Sequence, residues 1–460
     1  MKAVEELWRL AQGTPEALEH LTVSGDELLL PSVYRVSDLA AASVGASALA
    51  AAECFRHRTG RQQDVHIYTR RAAIAFHSER YLRIGTDKAP ELRDPLMGFY
   101  ETRDGRWIQL HTNFKHHRDG VIKLLGCAND HAGVMQAIRN WDGARLDDAL
   151  ADAGLCAALI RTPEEWALTP QAHAIAEIPL LEIVKLDDAP PKAIGQGEPQ
   201  RPLSDVRVLD LSRIIAGPVA GRTLAEHGAD VLLINGPHLP NIPPLVIDNG
   251  RGKRSATLDL REESGRESLR ALLKDADVFL QGYRPGALAA HGFGPEEAAR
   301  VRPGIVYVTI SAYGHKGPWS QRRGFDSLVQ SASGIAWTEA QAAGQTQPRH
   351  LPCQALDHAT GYLAAFGAMI ALQRRATQGG SWHVRVALAR TGRWLQSMGL
   401  IEDGQNVPDP QLDDVRDMLQ TIASPFGSLT CTQPPERMSL TPPFWRSPPV
   451  PIGTDQPRWW

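Results

Sequence analysis

Between Ala359 and Leu372 no residue carries a charge, and Ala and Gly recur among larger apolar side chains. The pattern predicts a helix enclosed by protein on every side, not one with a wetted face. A second stretch, Ser37 to Ala72, has the same layout 319 positions earlier, placing Asp38 on Asp357, Ala40 on Ala359, Arg56 on Arg375, Gly60 on Gly379, Val65 on Val384 and Arg71 on Arg390. In each copy an Asp opens an Ala-rich helix that ends in basic residues and Gly, and an alternating strand follows (DVHIY, HVRVAL). The ungapped register favours internal duplication over chance likeness of two Ala-rich helices.

Elsewhere the pattern changes twice. Leu96 to Leu110 reads as two strands joined at Asp104-Gly105, Gly154 to Ile160 as another, and Thr162, Pro163 and Glu164 open a helix. The Pro/Gly-rich run from Leu186 to Pro202 predicts a domain boundary. Beyond it the strands VRVLDLS, DVLLING, RSATLDL, DVFLQG and IVYVTIS alternate with helices such as AGPVAGRTLAEHG and ESLRALLKDA. Buried β-rich runs separated by helices predict an α/β fold, a Rossmann-like, doubly wound parallel sheet. The expected division is a partial repeat of the large domain's closing half at 1–85, a smaller α/β domain with the linker at 86–200, the Rossmann-like domain at 201–400, and a C-terminal tail packing on it at 401–460. Such sheets bind ligands beyond the carboxyl ends of their strands, which here carry Ser212–Pro218, Gly282–Gly286 and Ser311–Pro318.

Composition adds mainly exclusions. With 460 residues, 43% hydrophobic and 22% charged, the chain can build two or three cores, and a net charge of −3 gives no general attraction to nucleic acid or anionic lipid. Phosphate binding has to be local. Met1 to Leu30 holds acidic residues and no long apolar run, which argues against a signal peptide or membrane span there. The five cysteines are scattered without CxxC or Cys/His spacing, so they read as reduced thiols of a cytoplasmic protein, with Cys353 a small core residue and no metal site expected.

Asp357 is the candidate for chemistry. A carboxylate where an apolar helix begins suits two roles: an N-cap, accepting from free backbone N–H groups, or a nucleophile that forms a mixed anhydride with an acyl group. Residue type alone favours the cap.

The ordered blocks VLDLSRIIAGPVAGRTLAEHGADVLLI, NGRGKRSATLDLR, ADVFLQGYRPGALAAHGF, IVYVTISAYGHKGP, GFDSLVQSASG and ALDHATGY, from Val208 to Tyr362, resemble the class III CoA-transferases, the CaiB/BaiF family. The resemblance implies CoA transfer between an acyl-CoA thioester and a carboxylic acid, with Asp357 as nucleophile and CoA a substrate, no cofactor being permanently bound; Asp38 matches the same position in the partial copy, but no AGP or GKRS block precedes it, so a helix cap is expected there. It implies CoA contacts from Ala216, Gly217 and Pro218, phosphate contacts from Arg251, Lys253 and Arg254, an adenine-side contact from Arg284, and Tyr313 against the thioester or pantetheine. Acyl-CoA and carboxylic acids are the implied partners, without nucleic acid or membrane, in a monomer or homodimer whose N-terminal half-copy packs beside the Val206–Arg393 domain. Two positions depart from the family's pattern: Ile215 stands where some members have Gln, and Ala290 where an Arg is common. The alternatives are a CoA-ester-binding protein without turnover and an α-methylacyl-CoA racemase-like isomerase, whose His would fall on Phe325.

Overall fold

The computed structural model describes residues 1–25, 28–90 and 93–459; Asp26, Glu27, Glu91, Leu92 and Trp460, which fall within the expected divisions, lie outside the described residues. Its largest sheet has seven strands: β1 (Glu182–Lys185), β2 (Arg207–Leu211), β3 (Asp230–Asn235), β4 (Lys253–Thr257), β5 (Val278–Gln281), β6 (Val306–Ser311) and β7 (Trp382–Ala387). They lie in the order β4-β3-β2-β5-β6-β7-β1, all parallel except β1, which runs antiparallel to β7. Strand alternation explains why the sheet is covered on both faces. Val208, Val231, Val278 and Val306 enter one core, and their successors Leu209, Leu232, Phe279 and Tyr307 enter the other. The order reverses between β2 and β5, and such a switch point opens a crevice at the carboxyl ends of those strands.

The uncharged stretches form two helices, α1 (Val36–Thr59) and, late in the chain, a second of equal length over Ala355–Gln378, each 24 residues long. Their first residues stand 319 apart, as do those of the helices Thr69–Ala75 and Leu388–Ser397 that follow the next strands. The helix Ala216–Glu226 is α2, Asp326–Ala332 is α3, and Ala355–Gln378 is α4. α1 lies along α4: the Gln373 side-chain amide donates to the Ala50 carbonyl at 3.2 Å and the Cys54 thiol approaches the Met369 carbonyl at 3.7 Å, while Trp8, from the helix Lys2–Leu10, stacks on Phe366 of α4 with centroids 6.0 Å apart. Both helices are long and apolar enough to cross a membrane, yet 94% and 100% of their most apolar 18-residue windows are buried in the fold. Small residues make the burial possible by letting backbones approach.

The smaller domain is a three-stranded antiparallel sheet, Gly98–Glu101, Trp107–Leu110 and Ala157–Leu159, backed by helices around Tyr100, Ile108, Val121, Leu146 and Leu150. Asp104-Gly105 makes the turn as the sequence predicts, with Gly105 at φ 71°.

Two expected boundaries move. The run 186–202 is pinned to the large domain: Lys192 pairs with Asp277 at 2.6 Å, Ile194 is buried, and the Ala193 carbonyl accepts from Arg375 at 2.9 Å. β1, just before it, already belongs to the large sheet. The tail, expected on the large domain, also completes sheets with the N-terminal segment, where Glu436–Met438 pairs with Val65–Tyr68 and Gly427–Thr432 with Arg83–Ile84. Its tryptophans do reach the large domain, Trp445 donating to the Arg222 carbonyl and Trp459 to that of Leu272. Strand edges explain both shifts, because an edge takes whichever segment completes its hydrogen bonds, however distant in sequence.

Gly361 marks where α4 meets α2. A Cβ there would stand 2.5 Å from the Ala216 carbonyl oxygen and 2.8 Å from the Val219 side chain. Gly361→Ala should therefore cost about 1–3 kcal/mol through overpacking. A urea midpoint equal to that of the parent protein would rule out so close an approach.

Candidate active site

A cavity of about 530 Å³ opens at the switch point, bordered by Leu211 and Arg213–Gly217 after β2, Gly282–Pro285 after β5, and Ile310–Ala312 at the end of β6. The smaller domain closes one side with Phe114, His116, His117 and Cys156. The turn after β2 is strained: Ile214 has φ 75°, a left-handed conformation that costs a β-branched residue on the order of 1–3 kcal/mol. Neighbours hold it there. The Asp210 carboxylate accepts the Ser212 N–H at 3.0 Å, and the Ile214 carbonyl accepts from Asn249 at 3.3 Å. Gly217 is required at the start of α2, because a Cβ would lie 2.2 Å from that of Ser212. The result turns the amino end of α2, at Ala216 and Gly217, onto the cavity.

Asp357 borders the same cavity from the first turn of α4 and is 7% exposed. It is not the cap. Gln354 occupies the N-cap position without a side-chain bond, Asp357 is the third helical residue, and its own N–H donates to the Asp326 carboxylate at 2.8 Å. Asp326, first residue of α3, is the group that satisfies the amino end of α4, and Gln330 donates to it in turn. Asp38 holds the corresponding place in α1 but lies 53% exposed, paired with Arg35 at 3.1 Å and without a capping bond.

Three carboxyl groups gather here. Burial, then the charges of Asp326 and Glu79, push the Asp357 carboxyl well above the usual range, and burial raises Asp326 to about 7. Glu79 goes the other way: burial opposes its charge, but the hydrogen bond and charge of the His358 ring, 3.2 Å away, outweigh it and lower its pKa. Asp326 accepts backbone N–H groups, whereas the Asp357 carboxyl takes no hydrogen bond among the described residues, so the proton of the pair rests on Asp357.

Around this acid the cavity is cationic. Arg213, Arg261, Arg284, Arg322 and Arg323 border it, and Asp357 is the only carboxylate among its described lining residues. Arg322 pairs with Asp147 and Arg261 with Asp259, while Arg213, Arg284 and Arg323 form no ion pair among the described residues.

Residues 30–183 and 203–449 match CoA-transferase family III. The chain belongs to that family. It is 31% identical over 330 residues to an acyl-CoA transferase of Gibberella moniliformis, covering 66% of this chain and 57% of that one. An acetyl-coenzyme A transferase of Hypoxylon pulicicidum is 30% identical over 331 residues, covering 67% and 56% respectively. A solved hypothetical protein of Mycobacterium tuberculosis superposes with a TM-score of 0.41 at 33% identity, over 44% of this chain and 59% of that one. The chain spans a little over half the length of the curated relatives it matches.

Within this family III chain, Asp357, Ala216, Gly217 and Arg284 all border the cavity. Pro218 lies behind it, its carbonyl accepting from Lys253 at 2.8 Å. The basic cluster does not meet there. Arg251 is 1% exposed, pairs with Asp248 at 2.8 Å and lies over Trp445; Lys253 pairs with Asp210 at 2.8 Å; Arg254 pairs with Asp230 at 2.8 Å. The reason is electrostatic, since a cation this deeply buried needs a carboxylate beside it. Tyr313 also turns away, its ring edge-on to Trp319 at 5.1 Å and its hydroxyl pushed up to about 12 by burial. Sequence reading passed over Arg213, Arg261, Arg323, Asp326 and Glu79. The place of Arg213 directly after β2 was the available signal for the first.

Titration can separate these carboxyls. A carboxyl ¹³C titration should find Asp357 ionising above the ordinary aspartate range, and Asp326→Asn, by removing a neighbouring negative charge, should move that midpoint to lower pH. An Asp357 midpoint near 3.8, the value of an unperturbed aspartate, would contradict the buried carboxyl cluster.

Proposed function

We propose that the cavity receives an acyl-CoA thioester and that Asp357 transfers CoA from it to a free carboxylic acid. The observation that carries this reading is the Asp357 carboxyl, the one carboxyl among the described lining residues of a cation-lined cavity at the switch point of an α/β sheet. Membership of CoA-transferase family III and the names of the relatives support it.

The Asp357 carboxylate attacks the acyl carbonyl, forming a mixed anhydride and expelling CoA thiolate. The thiolate attacks the aspartyl carbonyl of that anhydride, releasing the donor acid as its carboxylate and leaving an aspartyl-CoA thioester. The acceptor carboxylate attacks this thioester, giving a second anhydride and thiolate. Attack of the thiolate on the acceptor's acyl carbonyl yields the new acyl-CoA and restores Asp357. Burial serves each step, because both kinds of intermediate hydrolyse when water reaches them. It also makes the anion costly, so the ionised form is scarce but nucleophilic. The rate should accordingly rise with pH through a midpoint above the usual carboxylate range.

The nucleotide end falls to the loops after β4 and β5. Arg284 is exposed and unpaired among the described residues, with Arg261 and His238 on the same rim. The amino end of α2 adds amide groups suited to an anion. Arg251, Lys253 and Arg254 are left with the fold.

Two comparisons test the reading. Asp357→Asn should abolish exchange between acyl-CoA donors and acids, followed by mass spectrometry, while Asp38→Asn retains it. CoA esters that bind the parent protein without exchange would leave a binding protein only, and equal turnover in both variants would remove Asp357 as the nucleophile. Arg284→Glu should weaken a CoA ester by about tenfold or more and spare a pantetheine ester lacking the nucleotide. Lys253→Glu should instead lower the melting temperature, as expected when Asp210 loses its buried partner.

A further inference from the structure

Away from the cavity, the carboxyl end of α2 meets the tail strand Glu436–Met438, which itself pairs with Val65–Tyr68 of the N-terminal segment. Glu226 is the last residue of α2, His227 follows it as the C-cap, and Glu436 opens the tail strand, so segments far apart in sequence join there. Each of these three side chains is only 1% exposed. None of them borders the cavity that holds Asp357.

Oε1 of Glu226, both carboxylate oxygens of Glu436 and both ring nitrogens of His227 form no hydrogen bond among the described residues. His227 Nε2 stands 3.3 Å from Glu436 Oε1, and one donor atom from each side chain lies within 4.8 Å of those of the other two. Buried polar atoms are normally paired, so a whole cluster left unpaired calls for a group that accepts several lone pairs at once. The neighbouring cations do not supply it. Arg222 and Arg251 pair with Asp248 at 2.9 and 2.8 Å. Arg201 donates to the backbone carbonyls of Glu226 and Phe444, and its guanidinium lies over the Phe444 ring.

We propose that Glu226, His227 and Glu436 bind a divalent transition-metal ion such as Zn²⁺. Two carboxylates and an imidazole are a donor set that such ions take, each group giving one atom. The two carboxylates match the charge of the ion, and the carboxyl end of α2 turns the negative end of its dipole towards the same place. Donor atoms around a tetrahedral Zn²⁺ stand about 3.3 Å apart, so the three side chains draw in by on the order of 1 Å and leave a fourth position for water. The cysteine spacing that argued against a metal does not bear on this site. Its ligands are oxygen and nitrogen atoms, and Glu436 lies far along the chain from the other two. The ion fastens the tail, and through it the N-terminal segment, to the helix whose other end lines the cavity. The proposal is independent of the acyl-CoA reading.

The test uses the untagged full chain, stripped with a chelator, incubated with Zn²⁺ and freed of excess by gel filtration, with retained metal measured by mass spectrometry. The parent protein should keep about one Zn²⁺ per chain and melt at a higher temperature than the stripped protein. Glu436→Gln, which keeps the shape of the side chain, should weaken Zn²⁺ binding by at least about tenfold. Glu226→Gln serves as a second variant should the first fail to fold, judged by its melting temperature. A parent protein that retains no Zn²⁺ would overturn the proposal, because Zn²⁺ binds such donors more tightly than Mn²⁺ or Fe²⁺, and would leave the two carboxyls paired by a shared proton. Zn²⁺ held equally by the parent and both variants would place the ion elsewhere and overturn it as well.

Discussion

The rest of the structure depends on the need to bury α4 from its first residue to Leu372. A helix with no charge from Ala359 to Leu372 has no face that water can wet, so it must be covered on every side. The sheet and α2 cover part of it, and α1, from the other end of the chain, covers the rest. Small residues at the contacts bring the backbones close, as the Ala216 carbonyl beside Gly361 shows. The amino end of a helix held this way has little freedom. Asp357 is thereby placed at the cavity with its direction set by α3 and its depth by α2.

Burial then decides the chemistry. The same packing that orients Asp357 removes water from it, and Asp326 and Glu79 bring negative charge nearby. Helix amide groups would favour the anion, but Asp326 is the acceptor for those at the start of α4. Desolvation therefore wins over the helix dipole at Asp357. Glu79 belongs to the N-terminal segment and reaches His358, so the part of the chain that covers α4 also contributes to its electrostatics.

The arginines and lysines of the large domain fall into two populations. Arg222, Arg251 and Lys253 lie inside the protein, each with a carboxylate within 2.9 Å, and they tie α2, β4 and the C-terminal tail together. Arg213, Arg284 and Arg323 stand at the cavity without such partners among the described residues. The first population could not be turned outward without stranding its buried carboxylates, so it stays with the fold and the charge at the cavity comes from arginines that border it.

Local periodicity was enough to read the strand-helix alternation, the doubly wound sheet, the two matching helices and the position of Asp357 at a helix start, because these depend on neighbours a few residues away. The ordered blocks from Val208 to Tyr362 likewise pointed to the family before any coordinate was known. Tertiary structure alone decided that Asp326 satisfies the amino end of α4, that β1 joins the sheet as an antiparallel edge, and that the tail pairs with the N-terminal segment. It also decided which cations face a ligand. Lys253 and Arg213 look alike in sequence, each a basic residue beside a Gly-rich or polar turn. Their fates differ because Asp210, 43 positions before Lys253, reaches its ammonium in the folded chain, and no carboxylate reaches Arg213 among the described residues. Charge pairing acts through space between distant residues, and a pattern of near neighbours carries no record of it.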